Sequence, residues 1–116
     1  MLNENVKKWV AALRLGKYRR TTGMLHRRGS GYCCLGVACE VYIQHGGVLT
    51  KAIGEGAVTY DGERGILPVA VKNWLGLRDA YSSYNDGSLA SQNDSWGMTF
   101  ARIADLIESE PDGLFV

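Results

Sequence analysis

Residues 32–45 read Tyr32-Cys33-Cys34-Leu35-Gly36-Val37-Ala38-Cys39-Glu40-Val41-Tyr42-Ile43-Gln44-His45. This apolar run decides the fold, because it can be a buried strand or a buried helix. Alternation fails where Cys33, Cys34 and Leu35 stand side by side. Leu35, Ala38, Cys39 and Tyr42 keep helical spacing, and Gly46-Gly47 supplies a stop. The segment is therefore predicted as a central buried helix. A glycine inside a helix costs about 1 kcal/mol relative to alanine, so Gly36 predicts the close approach of another element.

The flanking segments supply what this helix packs against. Val6, Trp9, Val10 and Leu13 form a helical stripe over residues 3–15, with Asn3 as N-cap and Gly16 beyond the end. Residues 17–31 are polar, basic and glycine-containing, and read as irregular chain. Strand candidates at 57–60 and 65–67 flank Asp61-Gly62-Glu63-Arg64, a hairpin signal. Pro68 opens a short helix over 69–75 that Gly76 ends. Residues 78–97 read as mostly irregular, with a helical turn near Leu89. Phe100, Ile103, Ala104 and Ile107 mark a last helix, capped by Thr99 and closed before Pro111. The predicted fold class is α+β, a small helical domain of three to four helices with a β-hairpin. Trp9 and Trp74 fall on apolar faces and are predicted core. An isolated hairpin is marginally stable, so it must lie on the helices or pair with a second copy, which makes a homo-oligomer, a dimer, an expectation.

The 116 residues bound these elements to one domain, 1–116, at roughly 100–200 residues per domain. Hydrophobic content of 46% with 22% charged residues excludes a disordered tail or a coiled coil. No apolar run approaches the roughly 18 residues of a membrane span, and the N-terminus lacks the pattern of a signal peptide. A cytoplasmic setting is expected, with no membrane partner. An odd number of cysteines, bunched at Cys33, Cys34 and Cys39, reads as reduced thiols.

The net charge of +1 hides a segregation. Residues 1–39 carry Lys7, Lys8, Arg14, Lys17, Arg19, Arg20, Arg27 and Arg28 against Glu4 alone, a balance of +7, and the remainder carries −6. Either the basic loop folds onto acidic helices, or it forms an anion site. In the second case Arg19, Arg20, Arg27 and Arg28 clamp a phosphate-bearing ligand, because the planar guanidinium fork matches phosphate. Thr21 and Thr22 would donate hydrogen bonds. No glycine loop of the Walker type is present, and a near-neutral total argues against an extended nucleic-acid surface.

Other chemistry is weaker. Cys33, Cys34, Cys39 and His45 lack the usual zinc spacing, and on a helix Cys33 and Cys34 diverge by about 100°; no metal and no cofactor are expected. A Cys33 or Cys34 nucleophile with His26 or His45 as base is an alternative, a small cysteine-dependent enzyme. Asn93 and Asp94 are either turn and cap residues or a polar pair facing a ligand beside Trp96. Tyr81, Tyr84 and Trp96 lie in polar sequence and are candidate stacking surfaces. The acids Asp79, Asp86, Asp94, Asp105, Glu108 and Glu110 offer a further alternative, a protein–protein inhibitor of a host defence or nucleic-acid-processing protein.

Four blocks resemble a group of small tailed-phage and prophage accessory proteins. They are Trp9-x3-Leu13-Arg14-x-Gly16-x-Tyr18; Gly31-Tyr32-Cys33-Cys34-Leu35-Gly36-Val37-x-Cys39; Leu67-Pro68-x5-Trp74-Leu75-Gly76-Leu77; and Leu89-x3-Asn93-Asp94 running into Thr99-Phe100-Ala101-x-Ile103-Ala104-Asp105-x-Ile107-Glu108. The resemblance implies a one-domain accessory product acting in the infected bacterial host. It brings no catalytic residues with it. By analogy with such proteins, the expected function is non-enzymatic sequestration of a nucleotide-like immune signal, a host-defence evasion role.

Overall fold

A computed structural model describes residues 2–95 and 97–116. The first helix, α1 (Glu4–Leu15), begins where the Asn3 side chain accepts the Val6 N–H at 2.8 Å and ends at Gly16 in the left-handed region. Its stripe of Val6, Trp9, Val10 and Leu13 is buried. The decisive segment is a helix, α2 (Cys34–Gln44), whose residues Cys34 to Cys39 are all buried. The Trp9 indole N–H donates to the Cys34 carbonyl at 3.0 Å, tying the two helices together in the core.

Gly36 is explained by the chain that crosses α2. The Leu25 carbonyl accepts the Cys33 N–H at 3.0 Å. A Cβ on residue 36 would collide with that same carbonyl oxygen, a backbone atom that has nowhere to go. The glycine lets residues 25 and 33–36 pack backbone against backbone, which offsets its cost in helix propensity.

The segment 17–31 is more regular than its composition suggests. It contains β1 (His26–Arg27) and, with the next residue, β2 (Gly31–Tyr32). These join β3 (Lys51–Ile53) and β4 (Ala57–Tyr60) in an antiparallel sheet ordered β2-β1-β4-β3. The β-hairpin is present, but its strands are β3 and β4 rather than 57–60 with 65–67. Asp61-Gly62 does turn the chain, both residues having positive φ, and Glu63 bridges back to Tyr60. The return stops there because both edges of β4 are taken, one by β3 and the other by β1. The Arg64 carbonyl accepts the Leu25 N–H instead.

The remaining helices are α3 (Val69–Leu75), α4 (Leu89–Asp94) and α5 (Phe100–Glu108). Ser88 and Thr99 cap α4 and α5 with their side chains, and Gly76 ends α3. A two-stranded ribbon, β5 (Ser83–Tyr84) with β6 (Gly87–Ser88), precedes α4, in the stretch expected to be mostly irregular. The core is one cluster reaching from Val6 to Leu114. Trp9 is fully inside it, whereas Trp74 is only half-buried, against Tyr42 at 5.3 Å between rings. Among the described residues no helix is long and apolar enough to cross a membrane.

Gly36→Ala is expected to destabilise the fold by about 3 kcal/mol or more, because overpacking against backbone relaxes poorly. Urea unfolding of the variant beside the natural chain measures this. A loss under about 0.5 kcal/mol, the scale of an ordinary surface change, would mean that the crossing at Leu25 is not as tight as described.

Candidate functional site

The basic loop does not fold onto the acidic helices. Of the first third's cations, Arg14 pairs with Asp105 at 2.8 Å and with Glu108, and Lys7 pairs with Glu4 at 3.2 Å. Among the described residues, Lys17, Arg19, Arg20, Arg27 and Arg28 reach no carboxylate. The acids are dispersed as well. Asp105 and Glu108 are engaged with Arg14, and Asp79 accepts the Tyr81 and Ser83 N–H groups of its own turn.

The loop arginines make separate contacts. Arg20 donates to the Asn93 carbonyl at 2.9 Å. Arg27 folds back on its own loop, donating to the Thr21 hydroxyl at 3.2 Å and the Thr22 carbonyl at 3.1 Å. Arg28 is exposed in the β1–β2 turn, where its backbone N–H donates to the Gly56 carbonyl. Asn93 is fully buried and wholly committed. Its Oδ1 accepts the Cys34 N–H at 3.3 Å, and its Nδ2 donates to the Thr21 carbonyl at 2.9 Å and to Asp94 at 2.7 Å. It caps α2, whose own N-cap residue Cys33 makes no side-chain cap bond, and so leaves no polar edge for a ligand. Asp94 is exposed beside it. Trp96 lies outside the described residues. Tyr84 packs on the core and accepts from Gln92 at 2.8 Å, while Tyr81 is exposed.

A different constellation assembles on the sheet. Residues 19–21 run beside β2, with Tyr32 N–H donating to the Arg19 carbonyl at 2.8 Å and Thr21 N–H to the Tyr32 carbonyl at 2.7 Å. This sets Lys17 and Arg19 around a cleft of about 280 Å³ with His26, Tyr32 and the 29–31 turn. His26 and Tyr32 are cross-strand partners, and their rings stack at 4.0 Å. Tyr18 meets Tyr32 edge-on at 5.1 Å. Opposite β1, His26 faces Val58, so Tyr60 stands at the diagonal position, and Lys51 faces Tyr60. The sheet thereby presents one row, Tyr32, His26, Tyr60 and Lys51, on a single face. Glu40 of α2 closes it, accepting from the Tyr60 hydroxyl at 2.6 Å and pairing with Lys51 at 2.7 Å. Burial lowers the His26 pKa below 6.5, favouring the neutral ring, and burial beside Glu40 raises Tyr60.

The cysteine chemistry has the opposite environment. All three thiols are buried and free. Burial pushes Cys33 up to about 11 and raises Cys34 and Cys39 as well. A nucleophile needs the thiolate, which this helix disfavours. His45 lies at the end of α2, its ring 6.5 Å from that of Trp74. Among the described residues no three metal-ligating side chains gather.

Two outcomes follow. At about pH 8, near the ordinary thiol pKa, a disulfide-exchange reagent is expected to modify none of the thiols in the folded protein and all of them once it is denatured. Because the folded state disfavours the His26 imidazolium, the unfolded chain binds that proton more readily. Stability is then lost as pH falls below 6.5 and levels off beneath the depressed folded pKa. His26→Gln should remove this part of the acid sensitivity, as read from urea midpoints across that window.

No curated protein and no solved structure matches the chain. The model of one family, a domain of unknown function (DUF8296), matches residues 1–111. With nearly its whole length matched, the chain belongs to the DUF8296 family.

Proposed function

We propose that the protein binds a phosphate-bearing, nucleotide-like small molecule on the loop that joins α1 to α2. The observation that carries this reading is the set of five loop cations that, among the described residues, reach no carboxylate. Leaving like charges unpaired on one loop is unfavourable in the empty protein and becomes favourable when an anion arrives. Lys17 and Arg19 are the anchoring pair, since they share a cleft with an aromatic stack. Arg20 and Arg28 add to the field from outside it. Thr21, Thr22 and Arg27 brace the loop through their mutual hydrogen bonds, and Asn93 fixes it to α2. With thiols buried and protonated, capture rather than turnover is the role this site supports. The resemblance to phage accessory proteins gives the setting: sequestration of a nucleotide signal of host defence in the infected bacterial cytoplasm, by a dimer of two copies of the chain.

Calorimetry against nucleotides tests this. Reversal of both charges, Lys17→Glu with Arg19→Glu, is expected to weaken binding by at least about 100-fold, since two charge-assisted contacts contribute roughly 1.5–3 kcal/mol each. Affinity should also fall steeply with added salt. No heat with any phosphate-bearing probe, or equal affinity in the reversed variant, would overturn the proposal. Asn93→Ala should instead cost about 2–4 kcal/mol of stability, because it leaves buried backbone groups unpartnered, and thermal unfolding separates that loss from a loss of affinity.

A further inference from the structure

The row on the sheet does more than fill space. Tyr60 has one hydroxyl proton, and it goes to Glu40 at 2.6 Å. Glu40 is held as a carboxylate acceptor by Lys51, which pairs with the same oxygen at 2.7 Å. The Tyr60 oxygen can then only accept from its other neighbour, His26 Nδ1, 3.3 Å away. A neutral His26 must therefore carry its proton on Nδ1, which leaves Nε2 as a bare acceptor. That ring forms part of the wall of the cleft holding Lys17 and Arg19, and its stack on Tyr32 fixes its plane.

We infer that the Glu40–Tyr60–His26 chain makes the cleft selective for a phosphate ester that also carries a neutral hydroxyl donor, as a ribose phosphate does. Lys17 and Arg19 take the phosphate, and His26 Nε2 accepts the hydroxyl proton in a hydrogen bond. Tyr60 and Glu40 are positioning residues that never touch the ligand. A cleft of about 280 Å³ suits a phosphate with one sugar ring rather than a whole dinucleotide. The depressed His26 pKa favours the same neutral ring near neutral pH. Lys51 and Glu40 act on it with opposite signs, and Tyr32 covers one side. This selectivity rests on the anion site proposed above.

The test uses the full chain, with inorganic phosphate, adenosine monophosphate and its dideoxyribose analogue as probes. The natural protein is expected to prefer the ribose form about tenfold, the scale of one hydrogen bond. His26→Asn, which lacks an acceptor at the Nε2 position, should bring that ratio close to one, and Tyr60→Phe, which frees Nδ1 and lets Nε2 carry the proton for part of the time, should lower it. Heteronuclear NMR of the imidazole should show the Nδ1–H tautomer in the natural protein and a shift toward Nε2–H in Tyr60→Phe. Phosphate binding with equal affinity for the two nucleotides overturns the selectivity and leaves the anion site standing. So does a preference that survives both substitutions, or an Nε2–H tautomer in the natural protein. Failure of all three probes to bind overturns the anion site and the selectivity together.

Discussion

The fold hangs on one backbone crossing. The Leu25 carbonyl meets the first turn of α2 at Cys33 N–H and lies against Gly36. That contact fixes where the loop from α1 lands, and the loop sets everything downstream on the sheet. β1 begins one residue later, takes one edge of β4, and so confines the Asp61-Gly62 turn to a single bridge. Any side chain at residue 36 would lift the loop from the helix.

Asn93 is the second fastening. An asparagine in the core is costly unless all its hydrogen-bonding capacity is used, and here a helix N-terminus, a loop carbonyl and Asp94 use it. The loop is thus held at both sides of α2's first turn, by Leu25 and by Thr21. Its charged side chains extend from an anchored backbone, which limits the conformational entropy a ligand must remove.

Much of the helical frame was legible in the sequence. α1 and α5 announce themselves by apolar spacing and N-caps, α3 by Pro68 before it and Gly76 after it, and α2 by the failure of alternation at Cys33-Cys34-Leu35. The sheet was harder to read. Strands of two residues, such as β1 and β2, have no period, and their pairing is set by the tertiary crossing at Leu25 rather than by local preference. The site follows the same division. The charge imbalance was visible along the chain, so the loop could be found. The row of Tyr32, His26, Tyr60 and Lys51 draws on all four strands, and no spacing within the chain connects them. In sequence His26 reads as a base for cysteine, whereas its partner is the Tyr60 hydroxyl. Asn93 sits in a polar stretch where a turn residue is the ordinary expectation, and only its burial distinguishes a cap given to a distant helix.

The pairing of Arg14 with Asp105 and Glu108 has a consequence for how the chain comes into being. It belongs to a wider seam in which α1 lies against α5, so partners 91 and 94 positions apart in sequence meet across it. α2 follows α1 closely in sequence and can pack against it early, so the surface of α1 that meets α5 is closed later. Long-range closure of this kind delays folding and leaves sticky surface exposed in the interval. The +7 balance of residues 1–39 lies on the same stretch of chain, and like charge of this kind opposes association between partly folded copies.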